Sequence, residues 1–261
     1  MEMALEATKK YPKDLYTLGP LIHNPQAVDY LEGSGIRVRE RVESIPRGTV
    51  IFRSHGVSLR DLKKAREKRL KIIDATCPIV KRAHFFAEFL DRNGYTLLLV
   101  GDPDHPEVEA IRSYLHQDVE VVESPEAVKK LGPWEKLGII AQTTQTFNLF
   151  KEIVAVSLER AKEVRVFNTI CHATTLRQEE AIEVARKVDC MIVIGGHNSG
   201  NTQRLVTICK EIQPHTYHIE TARELNPRWL EGVEKVGLTA GASTPSWIIK
   251  EVEKEVRRVK S

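Results

Sequence analysis

Short apolar runs alternate with helical stretches along the whole chain, and this alternation restricts the fold more than any other feature. The runs begin at Thr49, Tyr95, Leu137, Cys190 and Val236, and each leads through a polar loop into a helical segment. Apolar runs of this length, interleaved with helices, are typical of parallel sheets that are covered on both faces. The sequence therefore predicts an α/β fold with small parallel sheets.

The strand–loop–helix units fall into three comparable groups, residues 1–77, 78–171 and 172–261. No low-complexity linker separates the groups. We therefore expect three similar α/β modules with boundaries at 77/78 and 171/172. The first group starts near Ala4 in what reads as the second half of an amphipathic helix, so we expect the first module to be incomplete at its N-terminal end.

Composition excludes several classes of protein. The formal charge of +3 comes from 39 basic and 36 acidic residues among 261, whereas a dedicated nucleic-acid binder carries a strong basic excess. No apolar run reaches the length of a transmembrane helix, and Glu residues interrupt the apolar positions near Met1, unlike in a signal peptide. Four cysteines are too few for a disulfide scaffold in a chain of this size. We expect a cytoplasmic protein that binds neither nucleic acid nor membrane.

Two cysteines occupy the same place in a repeated pattern. Cys77 follows Leu70-Lys-Ile-Ile-Asp-Ala-Thr and Cys171 follows Val164-Arg-Val-Phe-Asn-Thr-Ile, and a helical stretch comes next in both cases. A helix N-terminus favours the thiolate, which is the form that binds metal. A single cysteine after a strand is more often a small core residue, but the repeated context favours one shared metal site. Cys190 and Cys209 lie in apolar segments, and we interpret them as core residues.

Polar side chains cluster where the predicted strands end. The carboxyl ends of strands in open α/β sheets bind ligands, and nearby helix N-termini add N–H donors for anions such as phosphate. His105-Pro-Glu107 joins an anion-binding group to a proton donor on what reads as a loop. For the glycine-rich segment after Gly195, and for Ser243 before Pro245, a plain turn with a helix cap stays an alternative. The strand-end residues are Ser54, His55, His105, Glu107, Thr143, Thr144, Asn198, Ser199, Asn201 and Ser243.

Eight segments along the chain share a pattern with one family. In chain order they are Leu18–Gln26, Arg53–Val57, Asp74–Pro78, His105–Val108, Ala141–Gln145, Thr169–Thr174, Gly195–Leu205 and Thr239–Pro245. They include Asp74-Ala-Thr-Cys-Pro and Thr169-Ile-Cys-His-Ala-Thr around the two cysteines. In these segments the chain resembles the 4-hydroxy-3-methylbut-2-enyl diphosphate reductases of the non-mevalonate isoprenoid pathway, and the resemblance covers almost the whole chain.

The resemblance implies a reductive dehydroxylation that yields isopentenyl and dimethylallyl diphosphate. Cys77 and Cys171 would be thiolate ligands of a [4Fe–4S] cluster, Glu107 would supply the proton, and Thr143 would hydrogen-bond near Glu107 and the substrate hydroxyl. An external donor such as ferredoxin or flavodoxin would supply electrons. The implied fold has three modules in pseudo-threefold arrangement around the cluster. The implied ligands of the substrate diphosphate are His23, His55, His105, Ser199, Gly200, Asn201 and Ser243.

The chain departs from the family pattern in two places. Many members have Ser where this chain has Gly200, so the backbone N–H would act there instead. The family also begins with a strand and a Gly-Phe-Cys motif whose Cys is the first of three cluster ligands. This chain starts after that motif, so the resemblance implies that it lacks that ligand and that strand. Two alternatives are an inactive or incomplete diphosphate-binding form of the same fold, and a metal-dependent phosphate-ester hydrolase with Zn²⁺ held by His and Cys.

Overall fold

The computed structural model describes residues 1–11 and 13–260. In that range α-helices and β-strands alternate, as the sequence predicts. The helices are α1 (Glu2–Lys10), α2 (Pro25–Gly33), α3 (Leu59–Glu67), α4 (Pro78–Arg92), α5 (Pro106–Arg112), α6 (Pro125–Val128), α7 (Phe147–Leu158), α8 (His172–Ala185), α9 (Gly200–Ile212) and α10 (Ser246–Lys260). The strands are β1 (Leu15–Leu18), β2 (Arg37–Arg39), β3 (Thr49–Phe52), β4 (Lys71–Asp74), β5 (Thr96–Val100), β6 (Val119–Val122), β7 (Trp134–Ala141), β8 (Ala161–Val166), β9 (Cys190–Ile194), β10 (Thr216–Ile219) and β11 (Val236–Ala240).

Within the described residues the strands form three small sheets, and every neighbouring pair is parallel. The strand orders are β2-β1-β3-β4, β6-β5-β7-β8 and β10-β9-β11. In the second sheet Val100 pairs with Ala141, so the loops after β5 and β7 leave the same edge side by side. The prediction of an α/β fold with small parallel sheets is confirmed.

The chain divides into two compact units. The first contains Met1–Leu21 and Tyr30–Cys171 and holds the first two sheets, whereas the second contains Ile22–Asp29 and the chain from His172 onward and holds the third sheet. The three-module boundaries at 77/78 and 171/172 stay a prediction. Among the described residues every helix is too short or too polar to cross a membrane.

Successive residues of the central strands enter different cores. In β5, Leu97 and Leu99 pack into one apolar cluster, while Leu98 and Val100 pack into another on the opposite face. Strand β9 does the same, with Cys190 in one cluster and Met191 in the other. Because both faces are buried, these strands need unbroken apolar runs rather than alternating patterns.

The two core cysteines are placed as the sequence predicts. Cys190 and Cys209 are completely buried, in β9 and α9. Burial raises the pKa of each thiol to about 11. Both therefore stay protonated near neutral pH and act as small apolar residues.

Candidate active-site residues

Cys77 lies at the junction of β4 and α4. It is the N-cap residue of α4, with Pro78 at the first helical position, and its thiol forms no capping hydrogen bond to the helix. Its backbone N–H donates to the carbonyl oxygen of Ser54 at 3.0 Å, which ties it to the loop after β3. The side chain is partly exposed. A thiol that is accessible and unused as a cap is available as a metal ligand.

Cys171 occupies the corresponding place before α8, but the strand ends earlier than the sequence pattern suggests. Strand β8 stops at Val166, and four residues lead to Cys171. The backbone N–H of Cys171 donates to the carbonyl oxygen of Thr143 at 2.9 Å, so this cysteine is tied to the loop after β7. Its side chain is partly exposed like that of Cys77. Each cysteine is therefore held by the backbone of a neighbouring strand-end loop.

Glu107 and Thr143 form the most buried polar pair of the first unit's predicted site residues. The Thr143 backbone N–H donates to Glu107 Oε1 and the Thr143 hydroxyl donates to Glu107 Oε2, both at 2.8 Å. Glu107 is 1% exposed and Thr143 is 6% exposed. The two residues meet because each follows one of the paired strands β5 and β7. The carboxyl group is thereby fixed in one orientation.

Burial raises the pKa of Glu107 to about 7, and the two hydrogen bonds from Thr143 oppose part of that rise. Removal from water disfavours the carboxylate, whereas donors aimed at its oxygens favour it. A carboxyl group with a pKa near the pH of its surroundings is well matched to proton transfer. The geometry therefore fits a general acid at Glu107.

His105 is a helix cap rather than a loop residue, which corrects the sequence-based interpretation of His105-Pro-Glu107 as a loop. It is the N-cap of α5, and its Nδ1 accepts from the Glu107 N–H at 3.1 Å. A neutral imidazole that accepts at Nδ1 carries its proton on Nε2. The His55 ring lies edge-on to the His105 ring, with centroids 5.6 Å apart. The structure thus brings these two predicted anion ligands together.

In the second unit the glycine-rich segment leads into helix α9. Ser199 is its N-cap, with its hydroxyl accepting from the Thr202 N–H, and Gly200 is the first helical residue. The first N–H groups of a helix have no partner within the helix, and they attract anions. Asn201 is 5% exposed, and its Oδ1 and Nδ2 atoms find no partner among the described residues. Buried amides are normally satisfied, so the unpartnered amide of Asn201 is compatible with a polar ligand at this place.

His23 and Ser243 also lie in the second unit. The Ser243 hydroxyl donates to the His23 carbonyl oxygen at 3.3 Å. The same carbonyl lies so close to Gly196 that a Cβ there would stand 2.4 Å from the oxygen. The segment around His23 is therefore seated directly on the glycine-rich loop, which explains why that loop has a glycine at 196.

Two buried polar residues of the second unit were given no role from sequence. Asn24 accepts from the Ala27 N–H through Oδ1, and its Nδ2 has no partner in the described chain. The hydroxyl of Thr202 is likewise buried without a partner there. The Asn24-Pro25 pair is a helix-start signal that predicts the cap at Asn24. No sequence signal reveals that an amide or hydroxyl lacks a partner, because that depends on packing.

A protein-family model described as LytB protein matches residues 1–257. The chain belongs to the LytB protein family. Its sequence is 52% identical over 256 residues to 4-hydroxy-3-methylbut-2-enyl diphosphate reductase of Geobacter sulfurreducens, covering 98% of this chain and 90% of that protein. A relative with the same name from Pelobacter propionicus is 54% identical over 251 residues, covering 96% of this chain and 89% of that protein.

Two solved structures resemble this LytB chain. One, described as (E)-4-hydroxy-3-methyl-but-2-enyl diphosphate reductase, the terminal enzyme of the non-mevalonate pathway, is 47% identical with a TM-score of 0.71 and covers 98% of this chain and 92% of its own. The other, E-1-hydroxy-2-methyl-but-2-enyl-4-diphosphate reductase from Plasmodium falciparum, is 28% identical with a TM-score of 0.91 and covers 99% of this chain and 82% of its own. The sequence-based resemblance to this reductase family is confirmed.

Proposed function

We propose that this LytB chain is a 4-hydroxy-3-methylbut-2-enyl diphosphate reductase. The reaction consumes two electrons and two protons, breaks the allylic C–O bond, releases water, and leaves isopentenyl or dimethylallyl diphosphate. Five relatives that are 52–54% identical to this chain, over 96–100% of its length, carry this name. The mechanism rests on the Glu107–Thr143 pair. The Glu107 carboxyl group is buried, has a pKa of about 7, and accepts two hydrogen bonds from Thr143.

Glu107 supplies the proton that turns the departing hydroxyl into water. Near neutral pH its raised pKa keeps a substantial fraction protonated, so the acid is present when needed. Thr143 orients the carboxyl group through both of its oxygen atoms. A fixed orientation reduces the rearrangement required at proton transfer. Thr143 is also proposed to hydrogen-bond the substrate hydroxyl.

The diphosphate is bound by neutral or weakly cationic donors. In the first unit we assign this role to His55 and His105, whose rings are adjacent. In the second unit we assign it to His23 and Ser243, and to Ser199, Gly200 and Asn201 at the start of α9. The unpartnered amide of Asn201 supports this assignment, because a phosphate oxygen would satisfy its Nδ2.

We assign Cys77 and Cys171 as ligands of a [4Fe–4S] cluster. Thiolates are the usual ligands of such clusters, and both thiols are partly exposed at strand–helix junctions. When bound, the cluster supplies electrons and a Lewis-acidic iron. The role of the chain is to hold it beside the loops that carry His55 and Thr143, through the two backbone hydrogen bonds of the cysteines. An external electron donor, such as a ferredoxin or flavodoxin, is needed to renew the electrons.

Anaerobic turnover tests this function. Protein reconstituted with iron and sulfide is given 4-hydroxy-3-methylbut-2-enyl diphosphate and reduced methyl viologen, and both products are quantified by NMR. The reductase predicts viologen oxidation matched to product formation, with no release of inorganic phosphate. Phosphate release in the absence of a reductant would favour the hydrolase alternative. Binding of inorganic diphosphate without turnover would favour the inactive form.

A further inference from the structure

A groove of about 540 Å³ runs along the first unit between helices α3 and α4. Leu62 and Arg66 line it from α3, and Phe85 and Phe89 line it from α4. The groove also reaches Thr76, the residue before Cys77. The proposed reaction assigns no role to the residues that line this groove, although the groove extends to the residue next to a proposed cluster ligand.

The α4 side of the groove presents an exposed aromatic residue on a well-packed support. Phe85 is 63% exposed. Its ring lies edge-on to Phe86 at 5.5 Å between centroids, and Phe86 stacks on Phe167 at 4.1 Å. Arg82 donates to the carbonyl oxygen of Asn168 at 3.2 Å and fixes the same helix to the chain before Cys171. A rigid exposed aromatic side chain is typical of the anchor of a protein interface.

A basic segment, residues 60–71, comprises most of α3 and the four residues that follow it. Residues 60–71 contain seven Lys or Arg and two acidic residues, an excess of five, whereas the whole chain has an excess of three. Lys63 and Arg66 are exposed on α3, and Arg66 lines the groove. In the described chain neither forms an ion pair, whereas the groove residues Lys81 and Arg92 pair with Asp74 and Glu88. The remainder of the chain is therefore net acidic, and this segment is a local source of positive potential. Such a field steers acidic partners and orients them on arrival.

We propose that the α3–α4 groove docks an acidic protein that carries single electrons. This inference rests on the proposed function, which requires an electron donor. An acidic partner surface with an apolar centre complements the basic segment 60–71 and Phe85. The carrier loses one electron per encounter, so two encounters supply one turnover. Docking at the groove holds the carrier beside Thr76 and therefore beside Cys77.

Direct binding tests the surface without relying on turnover. The probe is fluorescently labelled flavodoxin, which is acidic, titrated with the cluster-loaded enzyme at low and high salt. Lys63→Glu combined with Arg66→Glu should weaken binding at least about tenfold at low salt and remove most of the salt dependence. The matched control is Lys250→Glu with Lys254→Glu, the same charge reversal on exposed residues of α10. Equal losses in both double variants, or none in either, would overturn the groove assignment.

Turnover with two reductants separates docking from catalysis. Phe85→Ala and the Lys63/Arg66 double variant should lower flavodoxin-driven kcat/KM by about tenfold, while turnover with reduced methyl viologen, a small cation, stays within about twofold. Equal loss with both reductants would show that the groove does not act in docking. If the parent turns over with viologen and does not bind flavodoxin, the docking inference fails and the proposed function stands. If the parent does not turn over even with viologen, the proposed function fails.

Discussion

Thr143 donates two hydrogen bonds to Glu107, one from its backbone nitrogen and one from its hydroxyl, and each is 2.8 Å long. The two residues are 36 positions apart in the sequence. Through its carbonyl oxygen Thr143 also accepts from the Cys171 N–H. One residue therefore joins the proposed proton donor to a proposed cluster ligand.

Glu107→Gln should reduce turnover by about two orders of magnitude or more, because Gln keeps the shape and loses the exchangeable acid. Substrate affinity should change little. Steady-state kinetics with reduced methyl viologen and a separate binding titration check both statements. Glu109→Gln is the matched control, since Glu109 lies on the same helix and is exposed. Full activity of a cluster-loaded Glu107→Gln enzyme would refute the acid role.

Thr143→Val should move the pH–rate profile to higher pH. The hydroxyl hydrogen bond stabilises the Glu107 carboxylate, so its loss raises the pKa of Glu107 above its present value of about 7. Activity that depends on the protonated acid should then persist to higher pH, although its maximum falls. Thr144→Val is the control, because the Thr144 hydroxyl accepts from Gln142 Nε2 instead. An unchanged upper limb in kcat/KM against pH would contradict the assignment.

Burial of Glu107 should make stability depend on pH. Its pKa is raised from 4.5 to about 7, so the folded protein binds more protons than the unfolded chain between these values. The stabilisation that comes from protonated Glu107 is fully present below about pH 4.5 and is lost as the pH rises through 7. The free energy of unfolding should therefore fall by about 3 kcal/mol across this range. Urea unfolding of parent and Glu107→Gln across this range isolates the effect. Parallel curves for the two proteins would show that Glu107 is not the source.

Asn201→Ala should separate ligand binding from stability. The unpartnered amide of Asn201 destabilises the ligand-free protein, so its removal should change the free energy of unfolding by less than about 1 kcal/mol. Affinity for inorganic diphosphate, measured by calorimetry, should fall about tenfold. Asn226→Ala should instead lower the free energy of unfolding and leave diphosphate affinity unchanged, because Asn226 accepts from the Arg228 N–H and caps a short helical turn. Undiminished diphosphate affinity in Asn201→Ala would remove this residue from the site.

Replacement of single cysteines should distinguish cluster ligands from core residues. Cys77→Ala and Cys171→Ala should lower iron and acid-labile sulfide per chain after anaerobic reconstitution, with little effect on unfolding. Cys209→Ala should lower stability by about 1–2 kcal/mol and leave iron unchanged, because Cys209 is buried and its thiol has a pKa of about 11. Iron content that is insensitive to both Cys77 and Cys171 would reject the cluster assignment.

The elements that sequence predicts best are the strands buried on both faces. The run Cys190–Ile194 coincides with β9, and the run at Thr49 coincides with β3. Strands such as β6 (Val119–Val122) and β10 (Thr216–Ile219) were not predicted individually, because they include Glu120 and His218, which break the apolar run. Such strands lie at the edges of their sheets, where one side is less buried.

Some features of the candidate site are indicated by the local sequence, whereas others depend on how distant strands pair. Pro106 after His105 is a helix-start signal that could have shown His105 to be a cap, because Pro is favoured at the first helical position. The contact of Glu107 with Thr143 depends on the pairing of β5 with β7. Periodicity reveals strands but does not state which strands are neighbours, so this contact required the structure.

The backbone N–H groups of the two cysteines are hydrogen-bonded to different loops, so each cysteine lies close to a different proposed functional residue. Cys77 is hydrogen-bonded to Ser54, one residue before His55. Cys171 is hydrogen-bonded to Thr143, which in turn donates to Glu107. A displacement of Cys77 is therefore expected to disturb His55, a proposed diphosphate ligand, and a displacement of Cys171 is expected to disturb Glu107, the proposed acid. Chemical damage at the two thiols should therefore have distinct kinetic signatures: weakened substrate capture for Cys77 and impaired protonation for Cys171.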